Sequence, residues 1–412
     1  RARQVTEELQ AMTYAKLHDA TRTPLAKYAG PVQDAIKSTA QVYQLKQLDA
    51  PHYPGGKLEL QNGEAPEVQQ LSWTVRTEGT GEDFGDEVLA HILKGESCCV
   101  TGAPGTGKSH LLARIRDALV ADGQRVEVCA PTHAAARLVQ GCTIHNFATR
   151  VASSRYGFEG TLLIDEVSML SLALVSVLDQ LRAGDCRIVT FGDWDQLEPV
   201  GNSWRGQAVD PLIFQDSDLL KRWSDCTNFQ LTRCRRSDQA HFNFYTQLHE
   251  SLETAKAWTR AKYKQGSPPG ALHLVISHRK RKALNEKLQD QLAGDDGVPV
   301  IEFDGEPAYR CVVSTPLVGS STQRGVVNGA FYEVVGLEPL RLRDTLTGEV
   351  LESTVELLPK LCCLAHAVVY NRAQGLTIRD QTVVLHCSES RFWRRAHLYV
   401  GLSRVCDGRQ IR

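Results

Sequence analysis

The chain contains the stretch Gly102-Ala103-Pro104-Gly105-Thr106-Gly107-Lys108-Ser109, which has the phosphate-binding form G-x-x-x-x-G-K-[ST]. Its glycines let consecutive backbone N–H groups curl around phosphate oxygens without a clash of Cβ atoms. Lys108 is placed to reach the β- and γ-phosphates of a nucleotide, and Ser109 is placed to hold Mg²⁺. We therefore expect residues 102–109 to bind a nucleotide, and a structural glycine-rich turn is the alternative.

The sequence around this loop alternates between strand and helix patterns. A short apolar run, 97–101, precedes the loop, and apolar residues recur behind it at helical spacing, at Leu111, Leu112, Ile115 and Leu119. The phosphates would then lie at a helix N-terminus, where the partial positive charge attracts anions. Further strands are predicted at 125–130, 161–165 and 187–193. This alternation predicts an α/β fold whose parallel sheet is covered on both faces.

The composition describes an ordinary globular chain. It has 412 residues, 42% of them hydrophobic and 23% charged, which is enough for two or three domains. No run approaches the roughly 20 apolar residues of a membrane span, and the polar start lacks both a signal peptide and a methionine. We expect an intracellular fragment or processed product that does not contact a membrane. The formal net charge of −1 argues weakly against a nucleic-acid binder, although basic clusters occur at 279–282 and 391–395.

The twelve cysteines do not have the spacing of a structural metal site. None falls in a C-x-x-C pair, so we predict reduced, buried thiols and no structural zinc.

Three regions are distinguishable along the chain. Residues 1–75 carry no chemical motif and are expected to be an N-terminal extension, partly helical at 5–14 and 32–48. The alternating pattern places a first α/β domain at 76–240. A second set of α/β signals, at 272–277 and 382–386, places another domain at 241–412, with a strand-rich insertion at about 301–359.

Two more strand ends carry polar residues that suit nucleotide chemistry. The apolar run 162–164 ends in Asp165 and Glu166; Asp165 is expected to hold Mg²⁺ and Glu166 to activate water for attack on the γ-phosphate. A capping pair for the following helix is the alternative. After the next predicted strand, Gln196 is a candidate sensor of the γ-phosphate. Trp194 is a candidate for stacking on a base, with a core tryptophan as the alternative.

Taken in order, these motifs resemble those of superfamily 1 helicases, and most of all the RecD/Pif/Dda-like (superfamily 1B) branch. The forms Asp165-Glu166-Val167-Ser168-Met169 and Gly192-Asp193-Trp194-Asp195-Gln196-Leu197 are typical of that branch. In the second half, 231–236, 365–377 and 398–404 look like the family's later motifs, and Asn328-Gly329 lies in a stretch like its small β-barrel insertion.

The resemblance implies two RecA-like parallel-sheet domains forming a P-loop NTPase motor, with a small SH3-like β insertion in the second. It implies ATP and Mg²⁺ in the cleft between the domains, Arg236 and Arg404 as arginine fingers, and Gln374 and Gly375 at the nucleotide. The candidate nucleic-acid contacts are Thr132, His133, Thr143, His145, Trp194 and Arg372. The implied activity is an ATP-dependent DNA helicase or translocase, moving 5′→3′ on single-stranded DNA in replication, repair or recombination.

The chain departs from the family pattern at three places. Asn371-Arg372 stands where the family has His-Lys, and the adenine-reading glutamine has no clear match around 82–93. The insertion in which relatives carry a strand-separating pin is short, 146–160. Its tip, 155–158, is a candidate wedge for a duplex, and a plain surface hairpin is the alternative.

The expected partners are single-stranded and tailed duplex DNA, with RNA as an option, and replication or repair proteins bound through the extension. The motor is expected to act as a monomer. The nearest alternative is an RNA helicase of the viral superfamily 1 type, for which the Asp-Glu-Val-Ser-Met form is unusual. More distant alternatives are a P-loop NTPase that is not a motor, and a degenerate scaffold without turnover.

Overall fold

The structure is a computed structural model that describes residues 71–79, 84–152, 158–181, 186–199, 201–204, 207–210 and 212–412. The predicted helices at 5–14 and 32–48 lie outside these ranges. None of the helices in the described ranges combines the length and the apolar character that a bilayer crossing requires.

The first half of the described chain is built on a parallel sheet. Its elements are β1 (Thr74–Thr77), α1 (Phe84–Leu93), β2 (Cys99–Gly102), α2 (Lys108–Ala121), β3 (Val126–Ala130), α3 (His133–Leu138), β4 (Cys142–Thr143), α4 (Ile144–Ala152), β5 (Gly160–Ile164), α5 (Leu172–Leu181), β6 (Cys186–Gly192), β7 (Ser203–Trp204), β8 (Gln207–Ala208), α6 (Leu212–Gln215), α7 (Asp218–Trp223) and β9 (Thr227–Leu231). Within the described residues, seven strands form the sheet in the order β1-β9-β2-β6-β5-β3-β4, all parallel.

Helices cover both faces of this sheet, which explains why its central strands are apolar along their whole length. On one face, α1 and α2 pack with Val100, Leu163 and Phe229 of the strands. On the other face, α4, α5 and α7 pack against Leu162 and Ile188. The strands predicted at 97–101, 125–130, 161–165 and 187–193 are confirmed as β2, β3, β5 and β6, each within two residues at its ends.

The second half contains a smaller parallel sheet and an antiparallel one. Its elements are α8 (Gln239–Thr246), α9 (Leu252–Lys262), β10 (Leu272–Val275), α10 (His278–Ala293), β11 (Val298–Val300), β12 (Tyr309–Cys311), β13 (Pro316–Gly319), β14 (Phe331–Leu337), β15 (Leu340–Asp344), β16 (Val350–Ser353), α11 (Leu358–Leu361), β17 (Cys362–Leu364), β18 (Ala367–Val369), α12 (Tyr370–Ala373), β19 (Val383–Leu385) and α13 (Arg395–Leu402). Among the described strands, β18-β10-β19 is parallel and β16-β15-β14-β13-β17 is antiparallel.

The inserted β unit consists of this five-stranded antiparallel sheet and a two-stranded antiparallel sheet, β11–β12. In β15, buried and exposed residues alternate, so that Leu340 and Leu342 face a separate apolar core with Val334 and Leu317. The strands of this region run from Val298 to Leu364, so the insertion extends at both ends beyond the boundaries of about 301–359 predicted from the sequence. The fold is therefore α/β, with a large RecA-like parallel sheet, a second smaller parallel sheet and a β insertion in the second half.

Two expected boundaries look different in the structure. Strand β1 begins at Thr74 and pairs with β9, so the sheet includes two residues that the sequence assigned to the extension. The first part of the expected pin insertion is the end of α4, and residues 153–157 lie outside the described ranges. Phe158 is buried and packs edge-on against Phe147, with 5.3 Å between the ring centroids. Phe158 belongs to the core, so its proposed part in a duplex wedge is wrong.

Candidate nucleotide and nucleic-acid site

The phosphate loop connects the end of β2 to the start of α2. Its backbone is left-handed at Gly105 (φ 91°) and Gly107 (φ 95°), a conformation that side chains with a Cβ atom rarely adopt. A Cβ atom added to Gly105 would lie 3.0 Å from Cβ of Arg236. The loop is thus packed closely against the segment that leads into the second half of the chain.

Lys108 is folded back over this loop. Its Nζ donates hydrogen bonds to the carbonyl oxygens of Gly102, at 2.6 Å, and Ala103, at 3.1 Å. Burial lowers the pKa of Lys108, while the nearby carboxylates of Asp193, Glu166 and Asp165 oppose that shift. The ammonium group therefore lies in a buried, acidic surrounding at the carboxyl edge of the sheet.

Ser109 and Asp165 form a pair of oxygen ligands beside the loop. The Ser109 hydroxyl donates to Oδ2 of Asp165 at 3.0 Å, and β5 delivers Asp165 to this position. Burial raises the pKa of Asp165, and the hydrogen bond from Ser109 partly offsets the rise. A hydroxyl and a carboxylate in contact, both near a phosphate loop, suit Mg²⁺, which prefers hard oxygen ligands.

Glu166 lies next to this pair in a left-handed conformation (φ 53°). It precedes a 3₁₀ turn, Val167–Met169, but its side chain makes no capping hydrogen bond, which argues against the alternative of a helix-capping pair. Its Oε2 is buried without a hydrogen-bond partner among the described residues. Burial, followed by repulsion from Asp165, raises the pKa of Glu166. A buried carboxylate with an unused oxygen and a raised pKa is suited to accept a proton from water.

Two buried glutamines also carry unused acceptors. Gln196 and Gln374 are each about 6% exposed, and the Oε1 atom of each has no hydrogen-bond partner among the described residues. Nε2 of Gln374 donates to the carbonyl oxygen of Leu197 at 3.3 Å, which ties the second half of the chain to the tip that follows β6. The residue after Gln374, Gly375, is left-handed (φ 79°).

The two candidate finger arginines meet at the same junction. Nη1 of Arg236 donates to the carbonyl oxygen of Ser403 at 3.1 Å. Arg404 is 1% exposed, and its Nη2 donates to the hydroxyl of Ser403 at 2.8 Å. Burial, followed by the charge of Arg236, lowers the pKa of Arg404 to about 10, while Glu166 opposes the shift. The guanidinium groups thus lie within electrostatic range of the acidic phosphate-loop site.

Several residues of this site were missed by the sequence reasoning. Asp193 is buried, and burial raises its pKa to about 6. Tyr245 of α8 donates its hydroxyl hydrogen to the carbonyl oxygen of Pro104 at 2.7 Å. Arg235 lies over Gly107 and pairs with the buried Glu78 at 2.9 Å. Asp193 follows a strand end, as Asp165 does, and was detectable by that signal; Tyr245 and Glu78 offered none.

Part of the candidate nucleic-acid contact set lines one cleft. The cleft has a volume of about 300 Å³ and is lined by Thr132, His133, Ala134, Ala135, Glu166, Met169, Asn328, Gly329, Asn371, Arg372 and Gln374. Arg372 donates from Nη2 to Oδ1 of Asn328 at 3.1 Å, and Gly329 approaches Ala134 at the start of α3. The β insertion therefore closes this cleft from one side, and the cleft reaches Glu166 at the nucleotide site.

The other three candidates lie apart from that cleft. Thr143 is buried, and its hydroxyl accepts a hydrogen bond from the backbone N–H of Asn146. His145 is exposed on α4. Trp194 is half-buried and packs edge-on against Phe214, with 6.3 Å between the ring centroids. This packing agrees in part with the alternative that Trp194 is a core residue. Contacts of these three side chains with nucleic acid stay predictions.

Comparison with known proteins agrees with this geometry. A family model described as "AAA domain" matches residues 86–241. The chain is 28% identical over 361 residues to the ATP-dependent RecD2 DNA helicase of Deinococcus radiodurans, covering 78% of this chain and 47% of that protein. It is 28% identical over 341 residues to the ATP-dependent DNA helicase PIF1 of Homo sapiens, covering 68% and 52%. The chain thus spans about half the length of the curated relatives it matches.

Solved structures show the same fold. The Pif1 helicase from Candida albicans superposes with a TM-score of 0.60 at 19% identity, covering 81% of this chain and 95% of that one. The Bacteroides Pif1 bound to ssDNA gives a TM-score of 0.56 at 18% identity, covering 80% and 92%.

The motif order, the parallel sheet with its phosphate loop and these relatives agree with one another. The chain is similar to the helicases of the RecD/Pif-like branch of superfamily 1.

Proposed function

We propose that this chain is an ATP-dependent DNA helicase or translocase that couples ATP hydrolysis to movement along single-stranded DNA. The observation that carries the proposal is a set of buried, unused acceptor atoms at the junction of the two halves. Oε2 of Glu166 and the Oε1 atoms of Gln196 and Gln374 have no hydrogen-bond partner among the described residues. Buried polar atoms are nearly always paired, so unused acceptors where the two halves of the chain meet indicate a polar substrate there.

The residues divide the work of hydrolysis between the two halves, which we take as lobes spanning 76–240 and 241–412. Lys108 and the phosphate loop bind the phosphates, and Glu166 takes a proton from the attacking water. Ser109 and Asp165 would hold Mg²⁺, which supplies positive charge to the phosphate oxygens. Arg236 and Arg404 neutralise the charge that develops on the transferred phosphoryl group. Both arginines and the loop come from one chain, so a monomer suffices.

Hydrolysis is linked to movement through the cleft that contains Arg372. One wall of the cleft is formed by Thr132 and His133 of the first lobe, and the other by Asn328 and Arg372 of the second. A strand lying there would be held by hydroxyl and cationic groups that contact phosphates without reading sequence. Closure of the lobes on ATP and their opening after hydrolysis would move this strand. One solved relative is described as Pif1 bound to ssDNA. The 5′→3′ direction is proposed from the family resemblance.

An unwinding assay with directional substrates tests the proposal. The full chain is incubated with ATP and Mg²⁺ on duplexes that carry a 5′ tail, a 3′ tail or no tail, each made with DNA or RNA tails. We expect separation of the 5′-tailed DNA duplex and none by Glu166→Gln, the matched control. Unwinding from 3′ tails alone contradicts the direction, a preference for RNA tails favours the viral-type alternative, and ATP hydrolysis that no polynucleotide changes contradicts a motor.

A further inference from the structure

Two cysteines lie side by side on neighbouring strands of the first sheet. Cys129 is the last residue but one of β3, and Cys142 is the first residue of β4. The two residues are direct partners in the parallel pairing of these strands. Their Sγ atoms are 3.7 Å apart. Neighbouring strands are separated by about 4.8 Å, which lies within the Cα separation that a disulfide spans. The two sulfur atoms can therefore be joined by side-chain rotation with little movement of the backbone.

The surroundings of the two thiols differ. Cys129 is fully buried, whereas Cys142 is half-buried on the edge strand. Nη2 of Arg150 donates to Sγ of Cys142 at 3.4 Å, and Arg150 is itself held by a two-point contact with Glu127, at 3.1 and 2.9 Å. A guanidinium beside a partly exposed thiol stabilises its thiolate, which is the reactive form. Cys142 therefore has the surroundings of an attacking thiol, and Cys129 those of a second thiol placed to complete the reaction.

The pKa shifts agree with this geometry. The hydrogen bond with the Cys129 thiol lowers the pKa of Cys142 below its ordinary value, and Arg150 adds to this effect, while burial and the charge of Glu127 oppose it. The same contact raises the pKa of Cys129, so Cys129 keeps its proton. Elsewhere burial raises the pKa of the adjacent thiols Cys98 and Cys99. Neither of these two thiols is partly exposed, so neither is placed to attack a peroxide first.

We propose that Cys142 and Cys129 are a peroxide-reactive dithiol, in which Cys142 is the site of oxidation and Cys129 the resolving thiol. The Cys142 thiolate attacks the terminal oxygen of a hydroperoxide; the O–O bond breaks, an S–OH group forms on Cys142, and the second oxygen leaves as hydroxide or alkoxide, which takes a proton from solvent to give water or an alcohol. The Cys129 sulfur then attacks the Cys142 sulfur. The S–S bond forms as the S–O bond breaks, and the hydroxide leaves as water with the Cys129 thiol proton. Two thiols are oxidised, and one peroxide is reduced.

The bond joins the edge strand β4 to its neighbour. Strand β4 is only two residues long. Its second residue is Thr143, and His145 follows on α4; both are candidate contacts with nucleic acid. The two thiols and Arg150 are sufficient for this chemistry, which does not require ATP hydrolysis or nucleic acid.

The test oxidises the fully reduced chain with hydrogen peroxide at one equivalent, blocks the remaining thiols with an alkylating reagent and maps the peptides without reduction. We expect Cys129–Cys142 to be the first disulfide formed. Cys142→Ser is expected to lose it, whereas Cys226→Ser, the control at another half-buried cysteine, retains it. In Cys129→Ser, a sulfenic acid is expected to accumulate on Cys142, trapped by dimedone.

Two further readouts make the test decisive. Arg150→Gln is expected to shift the pH profile of Cys142 alkylation to higher pH, because the thiolate loses its cation. First oxidation at any other cysteine in the wild-type chain overturns the proposal, and that measurement needs no variant to fold. An unreactive Cys142 in Cys129→Ser, with the native circular dichroism spectrum retained, overturns the assignment of the attacking thiol.

Discussion

Tyr399 donates a hydrogen bond from its hydroxyl to Oδ2 of Asp193 at 2.9 Å, and this bond connects the two halves of the molecule beside the phosphate loop. The two residues are 206 positions apart in the chain, and both are buried. Asp193 follows β6 and Tyr399 lies on α13. Two exposed ion pairs lie next to this bond, Arg395 with Asp195 at 2.9 Å and Arg394 with Glu198 at 2.6 Å. The segment after β6, which also holds Gln196, is therefore where the two halves meet.

Tyr399→Phe is expected to reduce the free energy of unfolding by about 1–3 kcal/mol, because it leaves a buried carboxylate oxygen without its partner. Arg394→Ala is the control at the same junction, and its exposed ion pair is expected to contribute about 1 kcal/mol or less. Urea denaturation measures both. Equal effects of the two substitutions would contradict the importance given to the buried bond.

Asp193→Asn is expected to change how stability depends on pH. Burial raises the pKa of Asp193 from about 3.8 to about 6, so the folded chain binds a proton that the unfolded chain has released. The contribution of this carboxyl to the free energy of unfolding is therefore present below about pH 4 and is lost as the pH rises to about 6. Relative to wild type, the Asn variant should gain about 1–3 kcal/mol across that interval. Urea denaturation at a series of pH values measures the difference in free energy of unfolding between the variant and wild type. A difference that does not change with pH would show that the folded chain does not protonate Asp193 in this interval.

Glu166→Gln is expected to bind ATP normally but to hydrolyse it at least about 100-fold more slowly, because the amide cannot accept the proton of the attacking water. Glu198→Gln is the control, since Glu198 is partly exposed and its carboxylate is engaged in an ion pair with Arg394. Steady-state hydrolysis and fluorescent-nucleotide binding separate the two effects. Normal turnover by Glu166→Gln would remove Glu166 from the role of base.

Gly105→Ala is expected to abolish or strongly weaken ATP binding. The new Cβ atom would lie 3.0 Å from Cβ of Arg236, in a left-handed backbone that alanine adopts at a cost of roughly 1–2 kcal/mol. Gly123→Ala is the matched control, because Gly123 is also left-handed (φ 75°) and a Cβ atom there meets nothing within 4 Å. The control should lose similar stability while retaining ATP affinity. Equal ATP affinity of the two variants would show that the close approach to Arg236 does not matter.

The order of strands and helices was predictable because local patterns determine it. An apolar run buried on both faces predicts a strand, and a glycine-rich loop before a helical repeat predicts the phosphate site, as β2 and α2 confirm. Pairs distant in sequence were not predictable, because neither member has a local signal. The bond between Tyr245 and Pro104 joins residues 141 positions apart, and the bond between Tyr399 and Asp193 depends on how the two halves pack. Phe158 was misplaced because nothing local in the sequence indicates its contact with Phe147.

Arg372→Ala is expected to weaken binding of single-stranded DNA about tenfold at moderate salt, because a cation that faces the cleft is removed. The slope of log affinity against log salt should become shallower by about 0.7, the value for one phosphate contact on a single strand. Arg343→Ala is the control, an exposed arginine of the β insertion paired with Glu333. Fluorescence anisotropy with an oligo-dT probe measures both variants. An unchanged salt slope for Arg372→Ala would place the strand elsewhere.

The central claim is that ATP is bound between two lobes whose closure depends on a polynucleotide. The most direct test is the steady-state rate of ATP hydrolysis with and without oligo-dT, in wild type and in Arg404→Ala, with Lys108→Ala as the inactive reference. We predict that oligo-dT raises the wild-type rate at least about tenfold and that Arg404→Ala loses about 10³-fold or more of the stimulated rate, the range typical of an arginine finger. A wild-type rate that oligo-dT leaves unchanged, together with an Arg404→Ala rate equal to wild type, would contradict the account.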